Sequence, residues 1–206
     1  MRPPGYRQAP SKITRLPVEL TPNGGAFFDL RLETNVQKQY SPETPASSYP
    51  PTDTIRAGLR RATPEDAAAV RDLTRAAYAK WVPVLGREPK PMTADYNVAV
   101  RDHMIDMLYL DGEPAALIEM HPEADHLLIV NVAVLPAYRG RGYGRALLAH
   151  AEELTRSLGL PELRLYTSSR LTENVKLYQR VGYKVDREEE ASPHLGVFVY
   201  MSKRLT

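Results

Sequence analysis

The sequence predicts an α/β layer architecture on one mixed sheet, and three observations carry that expectation. From Thr54 onward the apolar patterning runs strand, two helices, three strands, helix, strand, helix, two strands. Asp111-Gly112-Glu113 joins two apolar stretches as a hairpin, because an Asp-Gly pair accepts the positive φ angles of a tight reversal. The run Arg139-Gly140-Arg141-Gly142-Tyr143-Gly144 lies between an apolar strand ending at Leu135-Pro136 and a helical pattern that begins near Gly142.

Each element follows from local chemistry. Ile55 to Ala62 reads as the opening strand. Thr63-Pro64-Glu65-Asp66 starts a helix: Thr63 can cap, Pro64 suits the first helical position, and the two acids meet the positive end of the dipole. The helix runs to Lys80 or Trp81, after which Pro83, Gly86, Pro89 and Pro91 are expected to forbid regular structure up to Met92. Ala94 to His103 forms a second, short helix. Met104 to Leu110, Pro114 to Met120 and His126 to Leu135 are strands. The helix from Gly142 to Leu158 presents Leu147, Ala151, Leu154 and Leu158 on one face and ends at Gly159-Leu160-Pro161. Leu163 to Thr167 is the next strand, and Thr172 caps a helix that runs through Arg180 and is ended by Gly182. Tyr183 to Glu188 and Val197 to Ser202 complete the sheet.

The glycine turn is an anion cradle, since the first amides of a helix lack intrahelical acceptors and the dipole is positive there. Its glycines let the backbone approach a phosphate closely. A P-loop is excluded, because Gly144 is followed by Arg145 and Ala146 rather than by lysine and a hydroxyl. A dinucleotide fingerprint is excluded as well: Arg145 stands at its third glycine, and Glu162, the acid about twenty residues on, follows Pro161 ahead of a strand. What matches is R-x-x-G-x-G, read as Arg139, Gly142 and Gly144, after Asn131-Val132-Ala133-Val134-Leu135-Pro136 and before Ala146-Leu147-Leu148.

That segment resembles the GNAT family of acetyl-CoA-dependent N-acetyltransferases. A second match follows in order: Leu163 to Thr167, Glu173-Asn174-Val175-Lys176-Leu177-Tyr178, and Val181-Gly182-Tyr183. The resemblance covers about residues 55 to 206 and is sharpest from 126 to 185. It implies a mostly antiparallel central sheet flanked by helices, with fourth and fifth strands splayed so that the pantetheine arm of acetyl-CoA lies in the gap and pairs with strand amides at Val132, Ala133 and Val134. The diphosphate would rest on Arg139, Gly140, Arg141, Gly142, Tyr143, Gly144 and Arg145. The arginines also read as solvated surface charge, and guanidinium pairing with phosphate is the alternative.

The implied chemistry is direct attack of a neutral amine on a thioester, for which alignment of the reactants alone contributes about 7–11 kcal/mol. Backbone N–H groups near Val132 or Ala133 can serve the oxyanion. The resemblance assigns Tyr178 as general acid to the departing thiolate; Asn174, four residues earlier on the same helical face, would hold the pantetheine. On spacing alone Tyr178 reads equally as a core aromatic with Val175 and Val181. Relatives often carry a glutamate just before the asparagine, where this chain has Val130. Glu119, in the apolar run Ala115 to Met120, is then the candidate base and His121 the alternative, since an imidazole titrates near neutrality. Trp81, Pro83 to Met92 and Asp95-Tyr96 resemble the acceptor-side lid of some small-molecule members.

Composition bounds the rest. The 206 residues include no cysteine, which excludes disulfides, thiolate metal sites and a cysteine acyl-enzyme. His103, His121, His126, His150 and His194 show no zinc spacing, so no metal is expected. A formal charge of +2 gives little support for nucleic-acid binding, and no apolar run approaches the roughly 18 residues of a membrane span. Residues 1–54 hold nine of the eighteen prolines and read as a disordered or loosely draped extension to a domain at 55–206. The expectation is a cytoplasmic N-acetyltransferase acting on a small-molecule amine. Acetylation of a protein N-terminus or lysine, or a non-catalytic acyl-CoA sensor, are the alternatives. Dimerisation is common among members the sequence resembles, and no sequence feature here establishes a homodimer.

Overall fold

The computed structural model describes residues 58–192 and 196–205; the expected extension 1–54, the first residues of the expected opening strand and His194 lie outside them. The strands are β1 Leu59–Arg61, β2 Met104–Leu110, β3 Glu113–Pro122, β4 Leu127–Val134, β5 Glu162–Ser168, β6 Lys184–Ser192 and β7 Gly196–Arg204. The helices are α1 Ala67–Tyr78, α2 Val82–Leu85, α3 Tyr96–Asp102, α4 Tyr143–Ser157 and α5 Thr172–Arg180. The strands form one sheet in the order β1-β2-β3-β4-β5-β7-β6. β4 and β5 run parallel and every other neighbouring pair runs antiparallel. This is the mixed, mostly antiparallel sheet flanked by helices that the sequence predicts.

Two apolar layers sandwich the first half of the sheet. On one face Leu108, Ile118, Met120, Leu127, Leu163 and Met201 pack against Leu147, Leu148, Ala151 and Leu154 of α4 and Tyr178 of α5. On the other, Ile105, Met107, Leu117 and Ala133 meet Val70, Leu73 and Ala77 of α1 and Tyr96, Ala99 and Val100 of α3. Among the described residues this second layer draws on β2, β3 and β4 and on no residue of β5, β6 or β7.

The hairpin signal holds, with Asp111 at φ 52° and Gly112 at φ 85°. Three expectations need correction. Pro83 does not forbid a helix: it stands in the first turn of α2, where no N–H is needed, and Gly86 ends the turn at φ 72°. Residues Lys90–Thr93 add a turn of 3₁₀ helix. Thr172 is the first residue of α5 and makes no capping bond, the cap position being Leu171. The last two strands are longer than expected because they pair with each other along most of their length.

Asp106 ties β1 and α4 to β2 on one face of the sheet. It accepts from Arg61 Nε at 2.6 Å and contacts His150 Nε2 of α4 at 2.7 Å. Burial alone would push this carboxyl upward; the His150 hydrogen bond and the Arg61 charge outweigh it and hold the pKa below the ordinary carboxylate value. The stability these contacts contribute is therefore complete above about pH 4, where an unfolded-state aspartate is ionised, and is lost as the pH falls through the lowered folded value. Thermal unfolding followed from pH 7 to pH 2 is expected to show a falling acid limb in the native chain. In Asp106→Asn the melting temperature should be lower at pH 7 and the acid limb shallower.

Candidate active site

β3 and β4 pair from Pro122 with Leu127 to Met120 with Ile129, and then resume at Glu119 with Asn131. Val130 is thus an extra residue on β4, and such a bulge reverses the side to which everything after it points. Leu127 and Ile129 face α4; beyond the bulge Val132 and Val134 face that layer too, while Asn131 and Ala133 turn to the α1 side. Asn131 is buried there, at 2% exposure, with its carboxamide satisfied by two helices. Its Oδ1 accepts from Tyr78 OH at 2.9 Å, and its Nδ2 donates to Thr74 Oγ1 and Tyr96 OH, each at 3.4 Å. Tyr96 OH donates in turn to Pro91 O at 2.8 Å, which fixes the chain between α2 and α3.

Beyond the bulge β4 leaves its neighbour. It pairs with β5 only through Leu127–Ile129 and Leu163–Leu165, and from there the two strands part. Leu135 N–H donates to Ala115 O at 3.0 Å and so faces β3. Alternation along the strand then turns the N–H groups of Val132 and Val134 toward the gap and that of Ala133 toward β3. Val132 and Val134 therefore offer backbone to the gap, and Ala133 does not.

Glu119 lies on the α1 side of this gap, 3% exposed. Its Oε1 is 2.5 Å from His103 Nδ1, while Oε2 has no hydrogen-bond partner among the described residues. His103 begins the turn from α3 into β2, and His121 packs edge-on against its ring at 5.1 Å. His121 itself points outward, with Nδ1 3.1 Å from Glu123 Oε1. Tyr78, Tyr96 and Tyr166 stand within electrostatic reach of Glu119; burial first, and neighbouring negative charge after it, push all three phenols upward, so they remain neutral donors.

Tyr178 approaches from the opposite face. Its ring packs in the α4 layer beside Tyr183, Val175 and Val181, so the core reading holds. Its hydroxyl has no partner among the described residues, and burial pushes its pKa up to about 12. The Tyr78 phenol, on the other face, stands within electrostatic reach of Tyr178. Asn174, one turn before Tyr178 on α5, is half-buried, and its carboxamide has no partner among the described residues.

The glycine turn takes the shape its sequence demands. Gly140 at φ 74° and Gly142 at φ 87° occupy the left-handed region, and the first intrahelical bond of α4 runs from Ala146 N to Gly142 O. The N–H groups of Tyr143, Gly144 and Arg145 are left without an intrahelical acceptor. A Cβ at Gly144 would meet Leu177 at 3.6 Å and Val134 at 4.0 Å, which is ordinary van der Waals contact between α4 and its neighbours α5 and β4. The predicted side chains divide. Arg141 is exposed with its guanidinium 5.8 Å from the Tyr138 ring centre, and Arg145 is exposed beside the turn. Arg139 donates to Ala77 O at 2.5 Å and so caps α1 instead of facing the turn. The Tyr143 ring is buried at 6% exposure, leaving only its backbone for a ligand. Lys80 bonds Glu173 at 2.6 Å, linking the segment after α1 to the first turn of α5. Among the described residues no group of three or more His, Asp or Glu side chains is placed to hold a metal, and no helix is long and apolar enough to cross a membrane.

A sheet that opens between its fourth and fifth strands, with a glycine turn leading from the fourth strand into a helix, is the fold of N-acetyltransferases. The chain belongs to the acetyltransferase (GNAT) family, whose family model matches residues 68–183, and is an acyltransferase. It is 29% identical over 155 residues to the S-alkylcysteine N-acetyltransferase of Bacillus subtilis (strain 168), an alignment spanning 69% of this chain and 86% of that protein. Similar solved structures include the PaiA N-acetyltransferase from Thermoplasma acidophilum in complex with coenzyme A, at 18% identity and TM-score 0.60 over 72% of this chain and 98% of that one. The ribosomal-protein-S18-alanine N-acetyltransferase from Escherichia coli matches at 19% identity and TM-score 0.59, over 72% of this chain and 94% of its own. At these identities the two structures speak for the fold alone.

Sequence reading missed Asn131 and His103 as parts of the site. An asparagine inside an apolar strand is a signal for the first, because a buried carboxamide requires partners. Replacing Asn131 by Ala leaves the Tyr78 hydroxyl buried without its acceptor, which is expected to cost about 1–3 kcal/mol of stability in denaturant unfolding. Gly142→Ala forces a Cβ into the left-handed region, at about 1–2 kcal/mol in the same measurement.

Proposed function

We propose that the chain transfers an acetyl group from acetyl-CoA to the primary amine of a small molecule by direct attack, with residues 55–206 as the catalytic domain. The observation that carries this reading is the parted β4/β5 pair: two backbone N–H groups face the gap, with a carboxylate on one side of the sheet and an unpartnered phenol on the other. Val132 and Val134 hold the pantetheine, Asn174 hydrogen-bonds to it, and the amides of residues 143–145 with Gly140 and Gly142 hold the diphosphate. Arg141 and Arg145 add charge beside them. The small-molecule acceptor is supported by the relative that acts on S-alkylcysteine. Acetyl-CoA and its small acceptors are metabolites of the cell interior, so we place the enzyme in the cytoplasm.

The residues divide the proton work. The acceptor arrives as an ammonium ion and gives a proton to Glu119 Oε2, the oxygen that His103 leaves free. The neutral amine attacks the thioester carbonyl, whose developing oxyanion is met by a strand N–H in the gap. As the tetrahedral intermediate collapses, the C–S bond breaks and the thiolate takes the Tyr178 proton. The second nitrogen proton replaces the one Tyr178 gave up, and Glu119 passes the first to solvent, so each cycle yields the amide, the free thiol and one released proton. His103 is a positioning residue: by holding Oε1 it aims Oε2 at the nitrogen.

Thiol release from acetyl-CoA against a panel of amines tests the reading, and an enzyme that releases no thiol with any amine would refute it. Tyr178→Phe is expected to lower kcat about 100-fold and leave acetyl-CoA binding unchanged by calorimetry; Glu119→Gln should lower kcat/KM by a similar factor. The Tyr178 phenol, pushed up to about 12, stays protonated through the working range, so the native kcat profile should show no alkaline loss from this group below about pH 11. His103→Asn, which keeps a donor near Nδ1, should retain most of kcat, while His103→Leu should lose it with KM for acetyl-CoA unchanged.

A further inference from the structure

The second half of the sheet has a face that the α1 and α3 layer does not reach. Leu163, Leu165, Val199 and Met201 point into the α4 layer, so the residues that alternate with them point the other way. Those residues include Tyr166 on β5 and Phe198 and Tyr200 on β7. Their rings form one cluster, with Tyr166 5.8 Å from Phe198 and 5.7 Å from Tyr200. Tyr166 is 40% exposed, among the largest exposures of any bulky apolar side chain described. Arg187 on β6 closes the far end, its guanidinium 3.8 Å from the centre of the Tyr200 ring. A cleft of about 930 Å³ begins at Tyr166 and Tyr200 and runs away from Phe198 over a charged stretch that includes Arg164, Lys184, Asp186 and Arg187.

The near end of the cluster meets the proposed base. Tyr166 follows the paired stretch of β5, where the strands part, and stands within electrostatic reach of Glu119 on the same side of the sheet. An amine placed at Glu119 has the α1 and α3 helices on one side and the ring cluster on the other, so the rest of the acceptor must run out over Tyr166. We propose that this aromatic floor binds the body of the acceptor, and that the acceptors are primary amines carrying an extended apolar or aromatic tail.

The physical reasons are direct. Aromatic faces gain from covering apolar surface, and side chains held in a strand lose little freedom when they do so. The far end holds more cations than anions, with Arg164, Lys184 and Lys203 beside Arg187, which itself pairs with Glu189 at 3.4 Å, so the further cations of a polyamine or an aminoglycoside meet net repulsion there and an apolar tail meets none. A tail that reached Arg187 with a carboxylate or other acceptor group would pair with it.

This inference rests on the amine acetyltransferase reading, and one experiment separates their failures. Initial rates are measured with the full chain and acetyl-CoA against ethylamine, butylamine, hexylamine and 2-phenylethylamine, with spermidine and a short peptide as polar competitors. The proposal predicts that kcat/KM rises about fourfold per added methylene until the floor is covered. In Phe198→Ala with Tyr200→Ala the dependence on tail length should flatten while acetyl-CoA affinity, read by calorimetry, is kept; the single Tyr200→Leu variant serves if the double variant does not fold. Amines acetylated with no dependence on tail, or a preference for spermidine or the peptide, would overturn the inference and leave the reading standing. No turnover with any amine would overturn both. A chain that sediments as a dimer, and as a monomer after Tyr200→Arg, would assign the face to a second copy and overturn the inference.

Discussion

Val130 is the residue on which the rest of the arrangement depends. β4 carries it in excess of β3, and the ladder absorbs it by a bulge that adds twist and exchanges the two faces of the strand. Were the strand regular through Val130, Asn131 would continue the row of Leu127 and Ile129 into the α4 layer, where a carboxamide would find aliphatic side chains. With the bulge, the same carboxamide turns toward α1 and α3 and joins Tyr78, Thr74 and Tyr96 in one buried network. The strand also loses its pairing with β5 immediately past this point. The bulge therefore marks the point where the gap opens and where Asn131 turns to the helices that wall it.

The chemistry around the gap is economical in charge. Near Glu119 the polar groups are mostly phenols, and burial keeps their protons on. A neutral hydroxyl donates hydrogen bonds without repelling an incoming ammonium ion, and it places no second negative charge beside the carboxylate that must accept a proton. Glu119 and Tyr178 reach the gap from opposite faces of the sheet. A proton acceptor and a proton donor held apart by the sheet cannot neutralise each other directly, and the reacting nitrogen and sulfur lie in line between them on the proposed reading.

Backbone features were legible in the sequence wherever a residue type is tied to a backbone angle. Asp111-Gly112, Gly142 and the helix-ending Gly182 take the positive φ their places require, and the boundaries of β2 agree with the apolar run that predicted it. The bulge was not legible, because Val130 is one more valine in an apolar stretch and nothing local marks it as extra. Partnerships across long separations were equally hidden: Asn131 meets Thr74 from 57 positions away, and Arg139, read as a phosphate ligand, is drawn to Ala77 O from 62. Pro83 misled because its effect depends on where in a turn it falls. In α2 it falls where the missing N–H has no role.

The two proposed ligands are held by different kinds of group, and this explains why one of them was readable and the other was not. On the proposed reading the donor is gripped by main-chain amides, at Val132 and Val134 in the strand and at residues 143–145 in the helix, and main-chain amides are exposed only by particular backbone shapes. Such shapes need glycine or a parted strand, so they leave a mark that a sequence motif captures. The acceptor is held by side chains, Tyr166, Phe198 and Tyr200, at positions where a strand would accept many residues. Any aromatic or β-branched side chain suits the exposed face of a strand equally well, so nothing in the strand pattern singles these three out. Their significance arises only when the sheet sets β5 beside β7 and leaves that face without a helix among the described residues. Donor recognition is thus a property of the fold and acceptor recognition a property of this chain, which lets the face over β5 and β7 change its amine without disturbing the grip on acetyl-CoA.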